Sequence, residues 1–270
     1  MAARRSGSTL SPIAPTPCHS RPSNPQPRPS STYRQFKPPS QDVRLRERSE
    51  ISPLAGVGDT AVVEGVPHHA EGAVDVLTLG SEEVERAAHV IARAFHEDAL
   101  NVHLYPDGEA RARFAPLRFE ALVRYDQMFG QVDHLPGFAA VASWMRPGET
   151  DTPERLARAG FGSLPNDASL ETLDAVFGFI GPAIARAAPE PHWHLRLLAV
   201  EPDSQGVGLG AVVMQRGIDR AANTGHAVVL ETFAERAVPF YLRHGFEIIV
   251  DDVEPGSDLR FWVLRLVPSR

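Results

Sequence analysis

The sequence predicts a mixed α/β fold, a central mixed β-sheet with helices on both faces. Three observations predict it. Strand-like and helix-like stretches alternate from residue 73 to the C-terminus. Glycines and prolines punctuate the boundaries between them. The last eighty residues read strand, glycine-rich turn, helix, strand, short helix and two further strands.

The elements follow in order. Val74-Asp75-Val76-Leu77-Thr78-Leu79 alternates as a first strand, and Gly80 breaks it. Ser81 suits an N-cap, and Glu82 and Glu83 place carboxylates in the first turn of a helix. Position 84 is Val84, so the reciprocal carboxylate of a capping box is missing on that reading. Val84, Ala87, Ala88, Ile91 and Phe95 form its apolar stripe. Residues 96–108 read as a loop. Ala110 to Phe129 reads as a second helix that starts near Pro116 or kinks there, and Gly130 ends it. Gln131–Leu135 and Phe138–Met145 read as two strands joined at Pro136-Gly137. Residues 149–190 are helical in pattern, with breaks at Gly160, Gly162, Pro165 and Gly181-Pro182. His192–Val200 is strand-like, Glu201–Gln205 a loop, and Gly208–Thr224 a helix stopped by Gly225. Ala227–Thr232 is a strand and Val238–His244 a short helix stopped by Gly245. Phe246–Val250 and Leu259–Leu266 close the chain as an antiparallel pair.

The segment before residue 73 differs in composition. Residues 1–70 carry 11 of the 24 prolines, many Ser and Arg, and few large apolar residues. Such a segment cannot bury enough surface to offset its ordering entropy, so it is expected to be a disordered extension. It resembles an organelle transit peptide in being Arg- and Ser-rich with no acidic residue before Asp42, but its prolines spoil an amphipathic helix. Residues 1–50 hold eight Arg and the only lysine, Lys37, against three acidic residues, whereas the remainder holds 18 basic and 31 acidic residues. An acidic folded part argues against general nucleic-acid binding there. With 43% apolar residues the chain can build a core, and no stretch approaches eighteen consecutive apolar residues, so neither a membrane span nor a membrane partner is expected. The lone Cys18 excludes an intrachain disulfide framework or a cysteine-based metal site, which suits a cytoplasmic protein.

The chemistry concentrates after residue 196. Leu197-Leu198-Ala199-Val200, then Glu201-Pro202, then Gln205-Gly206-Val207-Gly208-Leu209-Gly210, then an apolar helix, is a strand–loop–helix arrangement. A helix N-terminus presents unpaired N–H groups and partial positive charge, and glycines there let the backbone approach a phosphate closely. The arrangement suits a diphosphate. Gly206-Val207-Gly208-Leu209-Gly210-Ala211 also fits the dinucleotide pattern G-x-G-x-x-[GA], with Glu231 as ribose partner, which would make the chain an NAD(P)-dependent oxidoreductase. Five residues separate the strand from the first glycine, and only about sixty residues follow Ala211, too few for the five or six parallel strands such a fold uses. A bare tight turn is the third possibility.

The run Leu198-Ala199-Val200-x-Pro202-x-x-Gln205-Gly206-x-Gly208-x-Gly210 resembles the acetyl-CoA signature of the GNAT superfamily of N-acetyltransferases. Leu230-Glu231-Thr232 through Arg236, Pro239-Phe240-Tyr241 and Gly245-Phe246 resemble the second half of that signature. The two motifs stand in order at the expected separation, and the likeness extends over residues 73–270, most of all to the puromycin N-acetyltransferase branch. The resemblance implies a GNAT-like sheet binding acetyl-CoA as cosubstrate in a cleft between strands 192–200 and 227–232. It implies that backbone groups of Leu198, Ala199 and Val200 pair with the pantetheine arm. Gln205, Gly206, Val207, Gly208, Leu209, Gly210 and Ala211 would hold the pyrophosphate. Tyr241 would protonate the departing thiolate after direct attack by the amine of a small molecule. Many family members carry Asn where this chain has Ala234, so one side-chain contact to the cofactor arm is missing.

Several residues have a plainer reading beside the functional one. Tyr241 is a core aromatic beside Phe240 if it is not the acid. Glu231, at a strand end, is the first candidate for the base that deprotonates the ammonium, or else a structural carboxylate paired with Arg236. His192 and His194 share one face of a strand and could act on the proton or bind a metal, although two alternate histidines without a third ligand are usually neither. Trp144 and Trp193 line a pocket or fill the core. A non-catalytic acyl-CoA-binding sensor with the same fold is the alternative to an enzyme. Neither the acceptor amine nor the oligomeric state is legible in the sequence.

Overall fold

The computed structural model describes residues 74–165 and 168–269. The proline-rich extension, Cys18 and His68-His69 lie outside the described residues.

Seven strands form one sheet: β1 (Leu77–Thr78), β2 (Gln131–His134), β3 (Ala140–Met145), β4 (His192–Val200), β5 (Ala227–Thr232), β6 (Glu247–Glu254) and β7 (Leu259–Leu266), in the order β1-β2-β3-β4-β5-β7-β6. Only β4 and β5 run parallel; every other neighbouring pair is antiparallel. The parallel-stranded dinucleotide architecture is thereby excluded.

Helices cover both faces, as expected. On one face lie α6 (Leu209–Thr224) and α7 (Val238–Arg243), whose Val213, Met214, Ile218 and Tyr241 pack on Trp144, Leu195, Val228, Leu230 and Leu264. On the other, α1 (Val84–Ala94) and α3 (Gly108–Phe129) cover Val132, Val141, Leu197 and Ala199. On that same side α2 (Ala99–Leu104) and α5 (Ala168–Ala187) cover Val229, Phe261 and Val263. The short α4 (Pro153–Ala159) joins Tyr125 and Met145 in a small satellite core.

The structure departs from the sequence reading at several places. Gly80 rather than Ser81 caps the first turn, and Glu83 Oε2 accepts from Gly80 N at 2.9 Å, the reciprocal bond expected to be missing. The first strand shrinks to Leu77–Thr78, which pair with His134 and Asp133 of β2, and Leu79 adds a single bond from its N–H to Val132 O at 3.0 Å. The loop expected over residues 96–108 contains α2, whose N-terminus is capped by the Asp98 carboxylate accepting from Leu100 N at 3.0 Å; six residues are too few to show a period. The α3 helix starts at Gly108 with an Asp107 cap and runs through Pro116. Likewise α5 runs through Gly181-Pro182. A proline removes one ladder bond, and buried residues on both sides hold each helix together: Ala115 and Phe119 around Pro116, Ile180 and Ala183 around Pro182. Finally β6 extends to Glu254, because β7 pairs with it along its length.

Candidate active site

The parallel pairing of β4 with β5 covers only His192–His194 against Ala227–Val229. Beyond that point the strands separate, each held by its other neighbour, β3 or β7. A bulge marks the place: Leu197 pairs with Ser143 and Leu195 with Trp144, so Arg196 is the extra residue of β4. The bulge reverses which face each side chain takes. Trp193 and Leu195 pack toward α6, whereas Leu197 and Ala199 pack toward α1 and α3.

The bulge also decides which backbone groups face the opening. Glu201 N donates to Ala139 O at 3.0 Å, so Ala139 and Glu201 are a hydrogen-bonded pair. Antiparallel pairs alternate. Ala199 therefore spends its N–H and C=O on Val141, while Leu198 and Val200 turn theirs toward the opening. The Val200 carbonyl accepts from Gln205 Nε2 at 3.1 Å, tying the turn to the strand end.

Gly206 and Gly208 adopt φ of 83° and 89°, a left-handed conformation that costs other residues about 1–2 kcal/mol. Among the described residues, the N–H groups of Gly206, Val207, Gly208, Leu209 and Gly210 have no backbone acceptor, and no side chain caps α6. A Cβ on Gly206 or Gly208 would meet no protein atom, whereas one on Gly210 would press on Val200 Cγ2 at 3.3 Å. The result is a bare row of donors on a sixteen-residue helix, open to an anion.

Tyr241 lies on α7, buried to 9% exposure, with its ring edge-on to Phe240 and Phe246. Burial, and then the Glu231 charge, push its hydroxyl well above the ordinary tyrosine range. The phenol is therefore protonated at any physiological pH.

Glu231 sits near the end of β5, where the strands part. It does not pair with Arg236: His194 Nε2 lies 2.5 Å from Glu231 Oε2. Burial alone would raise the Glu231 carboxyl, but the His194 and Arg196 charges and the His194 hydrogen bond outweigh it, and the group ionises below its usual range. His192 Nδ1 donates to Glu190 O at 2.8 Å, and its ring lies 6.2 Å from that of His194. Among the described residues no group of three metal-ligating side chains exists.

Residues not singled out in the sequence complete this polar floor. Arg196 Nη1 contacts Asp126 at 3.2 Å and Asp151 at 3.4 Å, and its guanidinium lies over the Tyr125 ring. Asp126, fully buried on α3, accepts from Ser143 Oγ at 2.5 Å. Burial raises the Asp126 carboxyl despite Arg196 and Ser143. Burial opposes the Arg196 charge, but Asp126, Asp151 and Glu231 more than compensate. The signal in the sequence was the alternation His192-x-His194-x-Arg196, polar residues on a half-buried strand face. Trp144 and Trp193 prove to be core residues: Trp144 is buried under α6, and Trp193 Nε1 donates to Thr224 Oγ1 at 3.1 Å. At position 234 the backbone N–H of Ala234 donates to Thr232 Oγ1 at 3.1 Å.

Residues 138–246 match the sequence model of the acetyltransferase (GNAT) family, a span that holds β3 to α7 and every site residue except Asp126 and its neighbour Tyr125. Solved structures share the fold. A histone acetyltransferase HPA2 and related acetyltransferase from Corynebacterium glutamicum is 20% identical, with a TM-score of 0.55 over 74% of this chain and 98% of that one. An arylalkylamine N-acetyltransferase 2 from Aedes aegypti is 12% identical, with a TM-score of 0.52 over 73% and 100%. An agmatine N-acetyltransferase variant is 16% identical, with a TM-score of 0.51 over 72% and 99%.

Proposed function

We propose that this chain, matched over residues 138–246 to the GNAT acetyltransferases, is an acetyl-CoA-dependent N-acetyltransferase that acetylates the amine of a small molecule by direct attack. The observation that carries the reading is the coincidence of two features: β4 and β5 part beside Tyr241 and Glu231, and the bare donors of Gly206–Gly210 follow β4 after the short turn of residues 201–205, which Gln205 ties back to the strand end. A thioester arm can lie along the free edge of Leu198 and Val200 while its pyrophosphate meets those donors. Gln205 and Ala211 flank the phosphate turn, and Leu209 and Val207 supply N–H groups within it. Ala199, whose groups are taken by β3, contributes packing rather than hydrogen bonds. The residues present fit the cosubstrate, which brings an activated acetyl group.

The chain's own residues then divide the proton work. Glu231, with His194 bonded to it, forms the side that accepts the ammonium proton. Tyr241, held protonated, donates to the departing thiolate. The branch nearest by motif is puromycin N-acetyltransferase. Enzymes named for arylalkylamines and agmatine share the fold, which supports a small amine as acceptor. Among the described residues no helix is long and apolar enough to cross a membrane.

Thermal shift of the full chain tests the reading. Acetyl-CoA at about 100 times its dissociation constant stabilises by roughly 2.7 kcal/mol, a rise of several degrees in Tm. A rise with acetyl-CoA and none with NAD or NADP is expected. Binding without turnover of any amine would favour the acyl-CoA sensor.

A further inference from the structure

We propose that His194, rather than Glu231, is the residue that takes the proton from the acceptor ammonium, that Glu231 is its positioning residue, and that His192 is the next station toward solvent. The proposal rests on the acetyltransferase reading above and names the base within that site.

His194 Nε2 lies 2.5 Å from Glu231 Oε2. A carboxylate that ionises readily is a hydrogen-bond acceptor only, so the proton of this contact belongs to Nε2. In neutral His194 the lone pair is then on Nδ1. No hydrogen bond to another described residue uses that nitrogen. Glu231 thus does for His194 what an orienting carboxylate does for a catalytic imidazole: it sets the tautomer, holds the ring and stabilises the imidazolium once it forms. Glu231 itself is a poor proton acceptor, since its neighbours favour its ionised form.

The second step follows from His192. Its Nδ1 hydrogen is spent on the Glu190 carbonyl, leaving Nε2 as an acceptor. The two rings, 6.2 Å apart between centroids on the same strand face, are within reach of one bridging water. His192 is half-buried, nearer the end of β4 where the chain enters the sheet. Glu231 thus contacts His194, and the His192 ring stands next to that of His194 beside the strand opening. The charged groups facing these three are Arg196 on the same strand, Asp126 on α3 and Arg265 on β7. Arg196 is already committed to Asp126 and Asp151.

The proton count closes. An ammonium gives one proton to His194 Nδ1 and becomes the nucleophilic amine. As the carbon–nitrogen bond forms and the carbon–sulfur bond breaks, Tyr241 gives its hydroxyl proton to the sulfur and recovers one from the same nitrogen. The proton on His194 leaves through His192 to water. The net products are the amide, the free thiol and one proton.

The test uses the full chain, acetyl-CoA, and agmatine, phenethylamine and putrescine as acceptors, with thiol release followed from pH 5.5 to 9.5. For the best acceptor, His194→Asn should lose about 10²–10⁴-fold in kcat/KM and lose the acid limb of the pH profile. Glu231→Gln should lose less and keep that limb, displaced. Acetyl-CoA thermal shifts of both variants should match the wild type, showing intact folds. A His194→Asn enzyme within threefold of wild type, or a Glu231→Gln enzyme that loses the acid limb while His194→Asn keeps it, overturns the proposal. Imidazole nitrogen shifts by NMR provide an arm that needs no turnover. In its neutral form His194 should carry its proton on Nε2, and Glu231→Gln should mix the tautomers. An Nδ1-protonated His194 overturns the assignment even in an active enzyme. Failure of all three amines with a correct tautomer would instead count against the acetyltransferase reading beneath it.

Discussion

The indole of Trp144 on β3 lies directly against the backbone of Gly217 on α6, so closely that any Cβ at position 217 would collide with the ring. This contact seats the helix whose first turn carries the bare donors of the glycine turn. It joins the core to the site, because the height of α6 above the sheet sets where Gly206–Gly210 stand.

Gly217→Ala should therefore cost both stability and binding. Overpacking of a well-filled core costs roughly 1–3 kcal/mol. The expected result is a Tm several degrees lower and a weaker acetyl-CoA affinity, measured by thermal melting and isothermal titration. An unchanged melting temperature would show that α6 slides freely on Trp144.

The turn itself makes a sharper prediction. Gly208 has φ of 89° with open space around a prospective Cβ. Gly208→Ala should lose about 1–2 kcal/mol through backbone strain, and its methyl group would stand where a phosphate must approach. An acetyl-CoA dissociation constant at least tenfold higher is expected. Val207→Ala, at an exposed side chain in the same turn, is the control and should change the constant less than twofold.

Tyr241 can be separated from binding. Tyr241→Phe should reduce kcat by about 10²–10⁴-fold, the usual worth of a positioned acid, with acetyl-CoA affinity unchanged. Because burial raises the phenol's pKa, its loss of a proton should not limit the rate below about pH 10, the ordinary tyrosine value. A basic limb that falls near pH 8 and disappears in Tyr241→Phe would contradict this burial argument.

Arg196 tests the polar floor. Removing it leaves the fully buried Asp126 without its cationic partner, a change that costs about 3–5 kcal/mol in comparable buried pairs. Arg196→Met should lower Tm by roughly 10 °C, and adding Asp126→Asn should restore part of the loss. A double variant no better than the single would mean that Asp126 is already neutral beside Ser143.

The pH dependence of stability follows from Glu231. Its folded pKa is depressed below the ordinary 4.5. The folded state therefore binds its proton less readily than the unfolded chain does. The resulting stabilisation is present above about pH 4.5 and is lost as pH falls through the folded value. Denaturant melts should show wild type more stable than Glu231→Gln at pH 7, with the gap narrowing toward pH 3. Asp126 acts oppositely, since its raised pKa lowers stability as pH rises through the carboxylate range.

Much of this protein was legible in its sequence. The order of strands and helices, the glycine turn at residues 206–210 and the short helix carrying Tyr241 follow from signals confined to a few neighbouring residues: periodicity, caps, and glycines that alone accept a positive φ. The places where those signals misled are also local, since prolines that break an isolated helix are tolerated in α3 and α5 once both halves are buried. Tertiary structure alone decided the rest. Sequence spacing pairs strands joined by a short turn, as β6 with β7, but the insertion of β7 between β5 and β6 emerges only when the apolar faces find each other. The bulge that adds Arg196 to β4 exists only relative to β3. Glu231 was visible as a strand-end carboxylate, but its partner His194 stands 37 residues away, and Asp126 stands 70 from Arg196. Burial makes such groups find partners, because an isolated charge cannot leave water without one. Which partner it finds is a property of the packed sheet.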